Sequence, residues 1–111
     1  MTGLELATIA RDALLDRQGE DIRLLDVRGL SSVTDYTLIV SGSSPPHLKA
    51  LFSQVQQQLK QAGVPVYRKS GGPESGWLVV DYMDVIIHIF SRSAREYYAI
   101  EALWAEAADI P

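Results

Sequence analysis

Apolar residues recur along this chain at two different spacings, and the changes from one to the other divide it into helices and strands. Leu6, Ile9, Ala10, Ala13 and Leu14 share one face at a 3.6-residue period. Thr2 followed by Glu5 has the spacing of a capping box, and Gly19 offers a stop, so a first helix is predicted between them. Branched residues then dominate Ile22 to Arg28 and again Tyr36 to Val40, which predicts two strands. Pro45 suits the first turn of a helix capped by Ser44. Leu48, Leu51, Phe52, Val55, Leu59 and Ala62 give that helix a narrow apolar stripe opposite Lys49, Gln57 and Lys60, up to Gly63.

Beyond Gly63 the pattern predicts a short strand over Val64 to Arg68 and a glycine-rich loop over Lys69 to Gly76. Two apolar strands follow, Trp77 to Asp81 and Val85 to Phe90, at the spacing of a hairpin. Ser93 with Glu96 forms a second capping-box pattern and opens a third helix reaching about Ala108. The order predicts an α/β (α+β) mixed sheet of about five strands with three helices packed on it, residues 1–111 forming one domain. Strand order is not legible at this level.

Two surfaces stand apart from the expected core. A hairpin turning at Tyr82 and Met83 sets Trp77 opposite His88 and Val79 opposite Ile86, with Leu78, Val80, Val85, Ile87 and Ile89 on the other face as plain core. The face bearing Trp77 is either covered by the remaining helix or left open as a docking surface. In the third helix a 100° projection gathers Tyr97, Ile100, Leu103, Trp104, Ala107 and Ala108 into a core arc. Tyr98 falls outside that arc among Arg95, Glu101, Glu106 and Asp109, an aromatic on a charged face where packing does not require one.

Charge and composition narrow the chemistry. With 111 residues, no cysteine and a net charge of −4, the chain has neither disulfides nor a thiolate site, and a reducing cytoplasm is the expected compartment. No segment collects the basic residues that gripping phosphates would need, so direct nucleic-acid binding is not expected. A mildly acidic surface instead suits a basic protein partner. No apolar stretch approaches the roughly 20 residues that span a bilayer, and Met1 to Arg11 lacks the form of a secretory signal, so no membrane role is expected.

Catalytic patterns are sparse. His47 and His88 lack the paired spacing that builds a metal site on a helix, and no P-loop, dinucleotide fingerprint or nucleophile elbow occurs. Ser41-Gly42-Ser43-Ser44 places hydroxyls and backbone amides at a helix start, an arrangement that can hold phosphates or simply cap the helix. A nucleotidyltransferase would also need clustered carboxylates, and the second helix carries none. Asp81 and Asp84 read more simply as solvated hairpin ends. No catalytic residue, metal or cofactor is expected.

Three ordered blocks carry a resemblance: Asp35 to Ser44 (DYTLIVSGSS), Trp77 to Phe90 (WLVVDYMDVIIHIF) and Arg95 to Trp104 (REYYAIEALW). They are similar to the signature blocks of the ribosomal silencing factor (Iojap-like) family. The resemblance implies a nucleotidyltransferase-like fold without the catalytic acids and a non-enzymatic protein. It implies binding to the large ribosomal subunit through a basic protein at the joining face, the fourteenth large-subunit protein, and hindrance of small-subunit association. Carried over by position, the partner surface involves Trp77 and Tyr98, supported by His88, Asp81, Arg95 and Val79. The chain departs from the family pattern at Pro46, where an arginine is usual, and in the long Gly71 to Gly76 segment before Trp77. The other readings are a nucleotide-binding or nucleotidyltransferase-like regulator, a ribosome-assembly adaptor, and a homodimer pairing through the Trp77 face.

Overall fold

A computed structural model describes residues Met1–Pro111. Helix α1 spans Gly3–Asp16 and is closed by the predicted capping box, with the Glu5 N–H donating to Thr2 Oγ1 at 3.1 Å and the Thr2 N–H donating to Glu5 Oε1 at 2.9 Å. Strands β1 (Glu20–Asp26) and β2 (Tyr36–Gly42) follow, then α2 (Pro45–Gln61), whose cap Ser44 accepts the His47 N–H. Strand β3 is Arg68–Gly72, β4 is Trp77–Asp81, β5 is Val85–Ser91, α3 is Arg92–Tyr98 and β6 is Ala108–Asp109. The six strands lie in the order β3-β4-β5-β2-β1-β6. Only β2 and β5 run parallel, so the sheet is mixed, as expected.

Alternation along the strands sends one set of side chains toward α1 and α2. Leu24, Leu38, Val40, Leu78, Val80, Val85, Ile87 and Ile89 meet Leu6, Ala10, Leu14, Leu48, Leu51, Val55 and Leu59 there in a 19-residue core. Small alanines on α1 let it approach the sheet closely, and the leucine stripe of α2 fills the space beside it. The opposite face holds a second core of four residues, Leu25, Val27, Ile39 and Phe90, roofed by Ala94, Ile100, Trp104 and Ala107.

Three expectations are corrected by the fold. The strand after α2 is not Val64 to Arg68 but Arg68–Gly72, which apart from Arg68 lies inside the segment expected to be a loop. Val64 and Val66 pack against the core from an extended connector, while the polar residues after them need only one neighbour, β4, to satisfy their ladder. Burial and pairing are separate demands here, and the apolar pattern reports only burial. Gly71 makes the pairing close: its φ is +78°, and a Cβ there would stand 2.0 Å from the Trp77 carbonyl oxygen.

The third helix is the second correction. It is capped by Ser91, whose Oγ accepts the Ala94 N–H at 3.1 Å, and not by Ser93 with Glu96. It ends after seven residues at Ala99, which takes the left-handed conformation with φ +48°. A 3-10 turn over Ile100–Trp104 and the short β6 replace the predicted last turns, because pairing with β1 and packing over Phe90 override the local helical propensity of this alanine-rich segment. The expected core arc is therefore split: Ile100, Trp104 and Ala107 pack, while Tyr97 and Leu103 are 82% and 73% exposed. The sixth strand, β6, was not expected.

The third correction is the hairpin register, which pairs Trp77 with Phe90, Val79 with His88 and Asp81 with Ile86. The connecting residues are Tyr82 to Asp84, so each expected partner slips by two positions. A slip of two preserves the faces, and the predicted core set Leu78, Val80, Val85, Ile87 and Ile89 is buried as expected.

Candidate functional site

The face of β4 and β5 turned away from α1 and α2 carries Trp77 and Val79 beside His88 and Phe90. Phe90 is fully buried, whereas Trp77, Val79, Ile86 and His88 are only partly covered. The roof from α3 and the following turn reaches the Phe90 end and stops. Both readings of this face therefore hold, each over part of it: covered at one end, open at the other.

At the boundary the two residues that packing did not explain come together. The Tyr98 ring lies 4.5 Å from that of Trp77, centroid to centroid, and Trp77 stacks on Phe90 at 5.0 Å. Tyr97 meets the edge of Tyr98 at 5.0 Å, and His88 lies 6.1 Å from Phe90 in parallel orientation. These spacings lie within the range in which aromatic pairs attract beyond their area burial. Tyr98 remains 49% exposed. Ser70, Gly71, Ser75, Trp77, Val79 and Tyr98 border a shallow depression of about 310 Å³ beside the cluster.

His88 is tied into the cluster by one directed bond, the Trp77 indole N–H donating to its Nδ1 at 3.2 Å. Burial pushes the imidazole pKa down to about 4, because the charged form would lose its hydration with no carboxylate in compensation.

The other expected surface residues do not join the cluster. Arg95 is turned inward, its side chain only 12% exposed: Nε donates to Glu101 at 2.7 Å and Nη1 to Ser41 Oγ at 3.0 Å. Glu101 also pairs with Arg23 at 2.9 Å, and these arginines hold its carboxyl below the usual range. Arg95 thus clamps α3 to β2 and to the turn after Ala99. Asp81 accepts the Met83 N–H at 2.7 Å and shapes the hairpin turn, where Met83 has φ +72°. Sequence reasoning missed Phe90 as the centre of the cluster, although its two-residue spacing from His88 was the available signal, and it placed Tyr97 in the core.

The serine-rich loop forms part of a second feature, a polar cleft of about 460 Å³ whose lining includes Ser43, Ser44, Ser75, Ser91, Arg92 and Ser93. Arg92 is paired with Glu20 at 2.6 Å. His47 holds the loop: its Nδ1 accepts the Ser43 N–H at 2.9 Å, and its Nε2 donates to the Arg17 carbonyl at 2.7 Å. No three His, Cys, Asp or Glu side chains anywhere in the molecule converge in a way that would hold a metal ion. No helix is long and apolar enough to cross a membrane.

Residues 2–111 match the family model described as ribosomal silencing factor during starvation. The chain is 36% identical to the ribosomal silencing factor RsfS of Bacillus subtilis over 107 residues, covering 96% of this chain and 91% of that one. A crystal structure of a Chromobacterium violaceum protein superposes with a TM-score of 0.91 at 38% identity, covering 95% of this chain and 88% of the other. More distantly, a mouse protein named for mitochondrial assembly of the ribosomal large subunit is 32% identical over 94 residues, 82% of this chain and 41% of that one.

Proposed function

The chain belongs to the ribosomal silencing factor family, and from that premise we propose that it docks in the cytoplasm on the large ribosomal subunit and keeps the small subunit from joining. The docking surface is the aromatic face around Trp77 and Tyr98. Its partner is a basic ribosomal protein at the joining face, the fourteenth of the large subunit. The mechanism is steric and needs no bond-making step: the domain, about 33 by 32 by 24 Å, fills space that the small subunit requires.

The observation that carries this reading is the tilted pair Trp77 and Tyr98, ring centroids 4.5 Å apart, left open at the edge of the second core. Rigid aromatics lose little conformational entropy on binding, and clusters of this kind carry most of the energy of protein interfaces. The chain as a whole carries a net charge of −4, which favours a basic partner. Sedimentation of purified subunits at magnesium levels that permit joining tests the proposal. Co-migration of the protein with the large subunit and fewer joined ribosomes are expected; a protein left at the top of the gradient, with joining unchanged, would refute it.

A further inference from the structure

The hydrogen bond inside the aromatic cluster fixes more than a ring orientation. An indole N–H can only donate, so His88 Nδ1, which receives it at 3.2 Å, must carry a lone pair and no proton. The proton of the neutral ring is then on Nε2. That atom has no hydrogen-bond partner within the protein, yet it is not sealed off as the Tyr82 hydroxyl is. Its ring stands on the partly open face, paired across the strands with Val79 and 6.0 Å from the Trp77 ring.

Resting on the docking function proposed above, we infer that His88 Nε2–H is the docking face's directed hydrogen-bond donor, set by Trp77 to receive a backbone carbonyl oxygen of the protein partner. Four features lead to this assignment. Trp77 specifies the tautomer, so the donor is present before the partner arrives and no proton has to move on binding. Burial keeps the ring neutral at physiological pH, which makes Nε2–H a constant donor and never a titrating cation. The arginine and lysine side chains of a basic partner can only donate, leaving oxygen as the acceptor. A chain of net charge −4 favours an uncharged carbonyl over a carboxylate for that oxygen. The aromatic rings then supply contact area, and His88 supplies the register in which the partner's backbone must lie.

Two substitutions separate the two ring nitrogens. His88→Asn places an amide oxygen near the position of Nδ1, retaining an acceptor for Trp77 while removing the outward donor. His88→Gln extends an amide N–H to the position of Nε2. Affinity for isolated large subunits, measured with purified wild-type and variant proteins, is expected to fall about tenfold in His88→Asn and to recover in large part in His88→Gln. The wild-type to His88→Asn ratio should stay constant as salt is raised, and a ratio that shrinks with salt would indicate a carboxylate acceptor and overturn the carbonyl assignment. Long-range proton–nitrogen NMR correlations of free wild-type protein provide a check independent of any variant's folding, and a proton found on Nδ1 would sink the inference. If wild type binds and His88→Asn binds equally well, this inference alone fails. If wild type does not bind, the docking function fails with it.

Discussion

Trp77 and Tyr98 show how a single side chain acquires a role from its neighbours. Each is partly exposed, and each alone would be an ordinary surface aromatic, but together they form a platform anchored by Phe90 from below. Trp77→Ala or Tyr98→Ala is expected to weaken large-subunit binding by about 2 kcal/mol, roughly thirtyfold, in a direct affinity measurement. Tyr97→Ala should cost much less, since that ring is 82% exposed and touches the platform only edge-on. His88 makes a separate prediction for stability. Its pKa is pushed from 6.5 in an ordinary environment to about 4 in the fold, so below pH 6.5 the unfolded chain takes up a proton that the folded protein refuses. The stabilisation is complete above pH 6.5 and is lost as pH falls toward 4, by about 3 kcal/mol. Urea unfolding at a series of pH values should show this slope in wild type and a flatter one in His88→Asn.

At the scale of elements, α3 is short because other contacts specify where it ends. The clamp of Arg95 on Ser41 and Glu101, with Glu101 held in turn by Arg23, fixes the chain where Ala99 breaks the helix. Tyr98 immediately precedes that break and is thereby held over Trp77. Arg95→Gln removes the charged fork from a nearly closed site and should cost about 2 kcal/mol of stability, read from the denaturation midpoint. It should also alter Trp77 fluorescence, because the ring above the indole loses its support. The same comparison of elements shows what patterning conveys. Helices α1 and α2 were legible almost to the residue, since capping box, Pro45, Ser44 and apolar stripe all agree. Strand β3 was not, because an exposed edge strand buries no face and leaves no alternation to detect. The last helix was overextended because Ala99, a good helix former, gives no local sign that it will turn left-handed.

For the whole molecule, net charge and the single open aromatic patch act on different steps of association. Raising ionic strength from about 0.1 to about 0.5 M should slow binding to the large subunit while leaving dissociation nearly unchanged, as charge steers the encounter and apolar contact holds the complex. Time-resolved binding at several salt concentrations would show this, and an equal effect on both rates would argue against it. The sequence by itself determined the mixed α/β class, both long helices, the faces of the hairpin and the resemblance to the family confirmed by its match over residues 2–111. Those features rest on local periodicity, capping and residue order, which the chain carries without reference to distant partners. Only the tertiary structure decided the strand order, the pairing of β6 with β1, the inward turn of Arg95 and the meeting of Trp77 with Tyr98. The parallel pairing of β2 with β5 at the centre of the strand order, that of β6 with β1, the bond of Arg95 to Ser41 and the contact of Trp77 with Tyr98 all join residues about twenty or more positions apart. Such pairings depend on which buried surfaces and hydrogen-bonding edges remain unsatisfied once the local elements have formed.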